Sequence, residues 1–281
     1  IGSGLVGSEM CIRDRLNRRL ESDLHEINHE SLNSTFVGYS NLYRQSIFVK
    51  QFAKEQGYYT EKMVTNQLND RVLDGFSLNN TFVLVLKDCS PKDIGERIDS
   101  NLAFEMGQVL GEYHLKVKPF IRIKLVNGQF DDYVAEIDSF KESSYKRRLK
   151  KLTGKFLPYK KEIKIELSQH SKFVLHGDVG LRNYKYVDSK LALIDFEKAR
   201  LGPVYQDFIK LFYQDFGLNE GLIQSFLAGY SSENPNYHLS DLTKQYLIFT
   251  TAVGIFNYTE KIEDLAFRHI GETMLDTIEK K

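Results

Sequence analysis

The stretch HGDVGLRNYKYVDSKLALIDFEKARLGPVYQD, residues 176–207, predicts one tight β-hairpin with polar residues around it. Residues 184–187 and 191–194 are short runs of strand-forming residues. Residues 188–190, Asp-Ser-Lys, have the chemistry of a turn. The hairpin is therefore expected to close near Ser189.

Three polar side chains are expected to meet at the open end of this hairpin. Asn183 and Asp195 each lie six residues from Ser189, which places them roughly opposite each other, and Asp178 lies in the loop before the first strand. Neighbouring carboxylate and amide oxygens suit Mg²⁺, a hard cation, and a hydroxyl nucleophile. The alternative is a turn rich in Asp and Asn that only caps the hairpin, and the mirror spacing favours the site.

The composition is that of an ordinary globular protein. The chain has 281 residues, of which 42% are hydrophobic and 27% are charged, enough for one large domain or for two lobes. Basic and acidic residues balance at 38 each, so no net field attracts nucleic acid or membrane. The longest nearly apolar run, residues 247–256, is too short to span a bilayer and predicts a buried helix.

Residues 1–15 are interpreted as a non-native segment. Residues 5–14, LVGSEMCIRD, resemble the translation of a sequencing-library adapter. The glycines of this segment are then not a phosphate loop, and Cys11 is not a native thiol. Cys89 is the remaining cysteine, which excludes an intramolecular disulfide and a cysteine-based zinc site.

The pattern of the chain changes near residues 88–91, Asp-Cys-Ser-Pro, which read as a linker. Before this break, short strand-like runs alternate with a helical segment; beyond it, apolar residues recur mainly at helical spacing. We predict an α+β architecture with a small β-rich lobe at residues 16–88. A larger, mainly helical lobe is expected at residues 89–281.

One lysine of the first lobe indicates a functional contact. Lys50 lies inside the strand-like run SIFVKQF, between Val49 and Phe52. A cation in a largely apolar strand is unfavourable unless it is paired. Glu61, on the following helical segment, is the expected partner, and Glu55 is the alternative.

The motifs HGDVGLRN, LIDFEKARLGPVYQD and SFLAGY resemble the aminoglycoside phosphotransferase and choline kinase group of small-molecule kinases. The resemblance covers the chain from about Ser34 onward and is most specific in residues 176–207. It implies a bilobal, protein-kinase-like fold, ATP or GTP as phosphoryl donor, Mg²⁺ as cofactor and a small-molecule hydroxyl as acceptor. Residues 179–182, Val-Gly-Leu-Arg, stand where many relatives have leucine, histidine and proline, so acceptor contacts do not carry over.

The resemblance also implies roles for single residues. Asp178 would accept the proton of the acceptor hydroxyl or at least orient it, and Asn183 and Asp195 would hold Mg²⁺. Lys50 would contact the nucleotide phosphates, held in place by Glu61.

Further nucleotide contacts are implied in the first lobe and the linker. The turn that contains Ser40 and Asn41 resembles the family's phosphate-covering turn, although it has one glycine and is weak as an isolated motif. The backbone near Lys87 and Cys89 would contact the nucleotide base.

Two residues are expected to support the catalytic loop. The ring of His176 would fix the loop, and Asp207 would accept hydrogen bonds from loop backbone N–H groups, although an ordinary aspartate at a helix N-terminus would look the same. Glu197 could be a further ligand of the metal or of water, and Arg182 reads as a surface charge more than as a phosphate ligand.

We predict a cytoplasmic kinase that uses a nucleoside triphosphate and a small-molecule acceptor of aminoglycoside, amino-alcohol or sugar type. Nucleic acid is not an expected partner. The acidic C-terminal helices favour a cationic acceptor, whereas the basic residues 141–172 favour an anionic sugar or a lipid head group, and the choice stays open. A catalytically silent nucleotide-binding scaffold is the alternative, although a scaffold has no need of Asp178.

Overall fold

The structure is a computed structural model in which the described residues are 45–69, 71–78, 81–95, 97–125 and 129–280. The contacts of these residues define two compact units, one ending at Ser90 and one beginning at Pro91. The adapter-like segment, Ser40 and Asn41 lie outside the described residues. No helix of the described part is long and apolar enough to cross a membrane.

The first unit contains an antiparallel sheet and one helix. Its elements are β1 (Ile47–Phe52), α1 (Glu55–Leu68), β2 (Val72–Leu78) and β3 (Thr81–Lys87). The sheet order is β1-β3-β2. Because β3 lies between β1 and β2, its residues 83–86 are all buried, as the continuous apolar run of this strand predicts.

Aromatic contacts fix α1 on this sheet. Tyr58 of α1 stacks on Phe82 of β3, with ring centroids 5.8 Å apart, and meets Phe52 of β1 edge-on at 6.1 Å. Leu84 and Leu86 complete the small core beneath these rings. The same packing turns Glu61 of α1 towards the interior, where its residue is 4% exposed.

The second unit begins with β4 (Lys92–Asp93) and α2 (Ser100–Lys116) and continues with α3 (Phe130–Ser139). The next helices are α4 (Ser144–Phe156) and α5 (Lys160–His170), separated by a short 3-10 turn, Leu157–Tyr159. This turn contains Pro158, which cannot continue a helix interior. The basic segment therefore forms two helices.

Four short strands follow and carry the predicted site. They are β5 (Phe173–Leu175), β6 (Tyr184–Val187), β7 (Lys190–Leu193) and β8 (Arg200–Gly202). β5 pairs with β8, and β4, β6 and β7 form a second antiparallel sheet.

Helices complete the unit: α6 (Tyr205–Lys210), a π-helical turn (Leu211–Asp215), α7 (Glu220–Glu233), α8 (Asp241–Thr259) and α9 (Leu265–Glu279). α8 is buried along most of its length, as its apolar sequence predicts. At its start, Ser240 caps the helix, and Glu166 of α5 accepts hydrogen bonds from the backbone and hydroxyl of Ser240.

α2 and α7 pack with their backbones in direct contact. A Cβ added at Gly107 of α2 would lie 2.0 Å from the Phe226 carbonyl oxygen of α7. A Cβ added at Gly229 of α7 would lie 2.0 Å from the Phe104 carbonyl oxygen of α2. Only glycine allows this close approach at both positions.

Candidate active site

β5 leads into the loop that carries Asp178. Immediately after β5, Gly177 has a φ of +81°, and a Cβ at this position would lie 2.2 Å from the Lys198 carbonyl oxygen. A side chain is excluded there by both the backbone conformation and the contact. The loop that carries Asp178 therefore lies directly against the segment that follows Asp195.

Asp207 holds this loop in place through hydrogen bonds. Its carboxylate accepts hydrogen bonds from the backbone N–H groups of His176 (2.7 Å) and Gly177 (2.9 Å). Burial alone would raise the pKa of Asp207, but the hydrogen bond and charge of His114 and the loop N–H groups outweigh burial and lower it. Asp207 is therefore a buried, ionised support for the loop.

His114 belongs to a buried chain of hydrogen bonds behind Asp207. Its Nε2 lies 3.1 Å from Asp207 Oδ2, and its Nδ1 lies 2.9 Å from the Tyr230 hydroxyl, to which Asn234 also donates at 3.1 Å. No role was predicted for His114 or Tyr230, although Tyr230 ends the motif SFLAGY. For His114, the available signal was a polar ring on the side of α2 that also carries Leu110, a buried residue.

His176 connects the loop to the hairpin. The Asp178 backbone N–H donates to its Nδ1 (3.3 Å), so Nε2 carries the proton and donates to the Ile194 carbonyl oxygen (2.9 Å). The ring also meets Phe196 at a centroid distance of 5.3 Å. Burial lowers the pKa of His176, so the ring is neutral.

Asp178 lies at the centre of three cations. Its Oδ2 accepts from Arg182 (2.5 Å) and Lys198 (2.8 Å), and its Oδ1 accepts from Lys210 (2.7 Å). Asp178 is 6% exposed, whereas the three cations are partly open to solvent. Burial alone would raise the pKa of Asp178, but the hydrogen bonds and charges of Lys198 and Lys210 bring it well below the usual range.

These cations were missed or misread in the sequence. Arg182 was interpreted mainly as a surface charge, and its guanidinium nevertheless contacts the carboxylate of Asp178. No role was predicted for Lys198, although it lies in the motif LIDFEKARLGPVYQD, or for Lys210, which lies outside the quoted motifs. Glu197, between Asp195 and Lys198, is half-buried.

The hairpin is one residue tighter than predicted. Val187 pairs with Lys190, so the turn contains only Asp188 and Ser189, with φ values of +49° and +64°. Two residues with positive φ are typical of a type I′ hairpin turn, whose twist matches that of the strands. The predicted three-residue turn at 188–190 is therefore wrong, and β7 begins at Lys190.

Because the turn is shorter than predicted, the residue opposite Asn183 is Ile194 rather than Asp195. Asn183 lies opposite Ile194, whose N–H donates to the Asn183 carbonyl oxygen at 3.0 Å, and Asp195 follows one residue beyond. The Asn183 side chain is buried, and its Nδ2 donates to the Asp178 carbonyl oxygen (2.8 Å).

Asp195 has an unusual backbone conformation. Its φ of +71° lies in the left-handed region, which non-glycine residues adopt at a cost of about 1–2 kcal/mol and which Asn and Asp tolerate best. Such conformations cluster at functional sites.

The donor set at the hairpin fits Mg²⁺. Asn183 and Asp195 offer one amide oxygen and one carboxylate, and Mg²⁺ is commonly held by one or two carboxylates together with substrate phosphates. Within the described residues, no group of three or more His, Cys, Asp and Glu is arranged to hold a metal ion.

The first unit contains the predicted ion pair. Lys50 Nζ of β1 lies 3.0 Å from Glu61 Oε2 of α1, with side-chain exposures of 19% and 5%. At the end of β3, the Lys87 carbonyl oxygen accepts two hydrogen bonds from the Arg71 side chain, at 3.1 and 2.7 Å. Cys89 follows the strand and is half-buried.

A profile described as the phosphotransferase enzyme family (APH) matches residues 72–240, more than half of the chain. The chain belongs to this family. The predicted enzyme class is thereby confirmed: this member of the phosphotransferase enzyme family is a phosphotransferase. No curated protein sequence matches the chain.

Solved structures share the fold of this phosphotransferase. Choline kinase LicA from Streptococcus pneumoniae is similar at 15% identity and a TM-score of 0.57, covering 84% of this chain and 87% of LicA. A thermostable mutant of aminoglycoside phosphotransferase APH(4)-Ia, in a ternary complex with AMP-PNP and hygromycin B, is similar at 11% identity and a TM-score of 0.59, covering 84% and 86%. Amicoumacin kinase hAmiN, in complex with AMP-PNP and Ca²⁺, is similar at 13% identity and a TM-score of 0.57, covering 83% and 81%.

These similarities confirm the predicted α+β, kinase-like fold. In this phosphotransferase a small β-rich part precedes a larger, mainly helical part, as in the predicted two lobes.

Proposed function

We propose that this phosphotransferase moves the γ-phosphoryl group of ATP or GTP to a hydroxyl group of a small-molecule acceptor, with Mg²⁺ as cofactor. The observation that carries the proposal is the fixed catalytic loop. Asp178 presents a buried, ionised carboxylate from a loop that Asp207 holds by two backbone N–H groups, and the Asn183 side chain is bonded to the same loop.

Asp178 would orient the acceptor hydroxyl. In the transfer, the hydroxyl oxygen bonds to the γ-phosphorus while the bond from phosphorus to the leaving oxygen of the nucleotide breaks. The low pKa of Asp178 makes it a weak base at neutral pH, so aiming the hydroxyl matters more than early proton removal. The hydroxyl proton would pass to Asp178 late in the reaction.

Asn183 and Asp195 would hold the metal ion. When bound, Mg²⁺ neutralises charge on the phosphates of the nucleotide. The complex of hAmiN with AMP-PNP and Ca²⁺ supports a divalent cation in a protein of this fold.

Lys198 and Lys210 would assist by charge. Both contact Asp178 while remaining partly open to solvent, with side-chain exposures of 51% and 31%. Each ammonium group can therefore contact Asp178 and the transferred phosphoryl group together. Arg182 could act in the same way.

The nucleotide is proposed to contact the first lobe, residues 16–88. Lys50, held by Glu61, would contact its phosphates. Ser40 and Asn41 would donate to phosphate oxygens, and the backbone near Lys87 and Cys89 would contact the base. Residues 89–281 would supply the chemistry and the acceptor site. The cytoplasm, where nucleoside triphosphates are abundant, is the proposed place of action.

A coupled assay of ADP or GDP release tests this function. The purified chain is assayed with Mg·ATP and Mg·GTP over aminoglycosides, choline, ethanolamine, homoserine, amino sugars, sugar acids, sugar phosphates and nucleosides. At least one acceptor should stimulate release, and Asp178→Ala should lower turnover by about 10²- to 10⁴-fold while nucleotide binding stays nearly intact. Nucleotide binding with no stimulated release would favour the alternative of a silent scaffold.

A further inference from the structure

A cavity of about 370 Å³ lies in the second unit, bordered by α3, α5 and α8. One face of α5 lines it. The lining residues of this helix follow helical spacing and are Lys160, Ile163, Lys164, Leu167 and Ser168. Small-molecule sites commonly have volumes of about 300–1,000 Å³. The cavity is therefore large enough for a compound with one or two rings.

Aromatic and hydroxyl groups form the other walls. Phe130 of α3 and Tyr246 of α8 stack at a centroid distance of 6.1 Å, and Tyr133 meets Tyr246 edge-on at 6.5 Å. All three line the cavity, together with Thr250. Flat apolar faces next to hydroxyl groups suit a hydroxylated ring.

The charge of the lining is one-sided. Among the described lining residues, the charged ones are Lys160 and Lys164, and none is acidic. Lys160 is already paired with Asp131 at 2.6 Å. Lys164 is exposed and has no carboxylate within 4 Å among the described residues. An anionic ligand would gain a charge-assisted hydrogen bond here, whereas an ammonium group would meet a like charge.

One lining residue of the cavity is the chain neighbour of Asp207, which supports the loop. Gln206 lines the cavity and directly precedes Asp207, and its side-chain oxygen has no hydrogen-bond partner in the described part of the chain. Arg200 donates to the Gly177 carbonyl oxygen at 3.4 Å, next to Asp178, and its charge also acts on the hydroxyl of Tyr133. Arg200 thus lies near both the loop and Tyr133, a lining residue of the cavity.

We propose that this cavity receives the acceptor, and that the acceptor is a hydroxylated ring compound with a carboxylate or phosphate group. The inference rests on the proposed function and narrows its acceptor class. The ring would lie against the aromatic wall, and its anionic group would meet Lys164. The cations around Asp178 also favour an acceptor with a negative charge. Multiply charged aminoglycosides and choline would find no carboxylate in the described lining.

Acceptor binding without nucleotide tests the inference independently of phosphoryl transfer. Calorimetric titrations compare matched sets: hexuronic acids and hexose phosphates, the corresponding neutral hexoses, and the corresponding hexosamines. An anionic member should bind at least about 10-fold more tightly than its hexosamine. The carboxylate and phosphate series then show which anionic group the site prefers. Equal or tighter binding of the amines, or no binding by either anionic series, would overturn the inference.

Charge reversal on α5 locates the site. Lys164→Glu should weaken binding of the preferred anionic compound by about 10-fold or more and change binding of the neutral hexose by less than about twofold. Lys161→Glu is the matched control, because Lys161 is exposed on the same helix and does not line the cavity; it should leave both affinities unchanged. Equal effects of the two variants would refute binding in this cavity.

Turnover separates this inference from the proposed function. The anionic compound that binds should also stimulate ADP or GDP release. Binding without stimulated release would overturn its role as acceptor. Stimulated release by hexosamines or choline alone would support the phosphotransferase function and overturn the anionic acceptor. Failure to bind nucleotide would instead count against the proposed function, while the titrations would still decide what the cavity binds.

Discussion

At the scale of single residues, Lys210 should control the ionisation of Asp178. Lys210→Met removes a cation 2.7 Å from the carboxylate, and a nearby opposite charge typically lowers a carboxyl pKa by about 1–3 units. The pKa of Asp178 should therefore rise, and the acid limb of the turnover profile should move to higher pH. The measurement is turnover against pH for both proteins at saturating substrates. Superimposable acid limbs would show that Lys210 does not act through Asp178.

His176 should make stability depend on pH. Its pKa is lowered by burial in the folded protein, whereas an unfolded histidine takes up a proton near pH 6.5. Its stabilising contribution is thus complete above pH 6.5 and declines as pH falls below 6.5 towards the folded pKa, by at most about 1.4 kcal/mol per pH unit. His176→Asn should flatten the free energy of unfolding between pH 6.5 and 5 in urea titrations. Parallel stability curves of the two proteins between pH 6.5 and 5 would contradict this role. Above pH 7, by contrast, the two curves are expected to be parallel.

The residues found in the sequence were those whose motif fixes their direction. Asp178, Asn183 and Asp195 are held by a loop and a hairpin of few residues, so spacing alone brings them near each other. Lys198 and Lys210 reach Asp178 from a turn and from α6, and no local pattern encodes that convergence. Tertiary packing alone decides which surface cation meets the carboxylate.

At the scale of elements, the contact of α2 with α7 should tolerate no side chain at its closest point. Gly107→Ala forces the two backbones apart and should lower the free energy of unfolding by about 1–3 kcal/mol. Gly254→Ala is the matched control, because Gly254 lies inside α8 with no atom within 4 Å of the added Cβ. This change should raise stability by about 0.5–1 kcal/mol, since alanine favours helix. Urea denaturation measures both, and similar effects would refute the close-contact argument.

Elements with strong periodicity were predictable, and those set by pairing were less so. The apolar run at residues 81–86 predicts a strand, and β3 spans Thr81–Lys87. The helical spacing at residues 102–115 predicts a helix, and α2 spans Ser100–Lys116. β2 was missed because its sequence, VLDGFSL, contains a glycine and polar residues and depends on β3 for its strand conformation. The turn at Asp188 and Ser189 was misplaced by one residue, because turn propensity does not fix which residues adopt a positive φ.

At the scale of the whole molecule, the nucleotide and the acceptor should respond to different variants. Lys50→Met removes the proposed phosphate contact from the first unit and should raise the KM for nucleotide by about 10-fold or more. Acceptor binding to the second unit, measured by titration, should change by less than about twofold. Lys54→Met, an exposed change just before α1, is the control. An unchanged KM for nucleotide in Lys50→Met would remove Lys50 from the nucleotide site.

For the whole molecule, family motifs predicted the kinase-like fold and the phosphotransferase class. The resemblance that carried this prediction is most specific in residues 176–207. The cavity was not predictable, since its walls come from three helices far apart in the chain. The choice between cationic and anionic acceptors stayed open for the same reason, because overall charge does not reveal which lysines line a cavity.

The left-handed backbone conformation of Asp195 affects which residues are expected at this position in diverged relatives. Glycine is the residue that best relieves this conformation, so selection for stability alone would replace Asp195 by glycine. Aspartate is among the non-glycine residues that tolerate this conformation best, and Asp188 also adopts it, in the hairpin turn. Under the proposed role of Asp195 as a metal ligand, aspartate at this position in a diverged relative should accompany retained transfer, and glycine should accompany its loss.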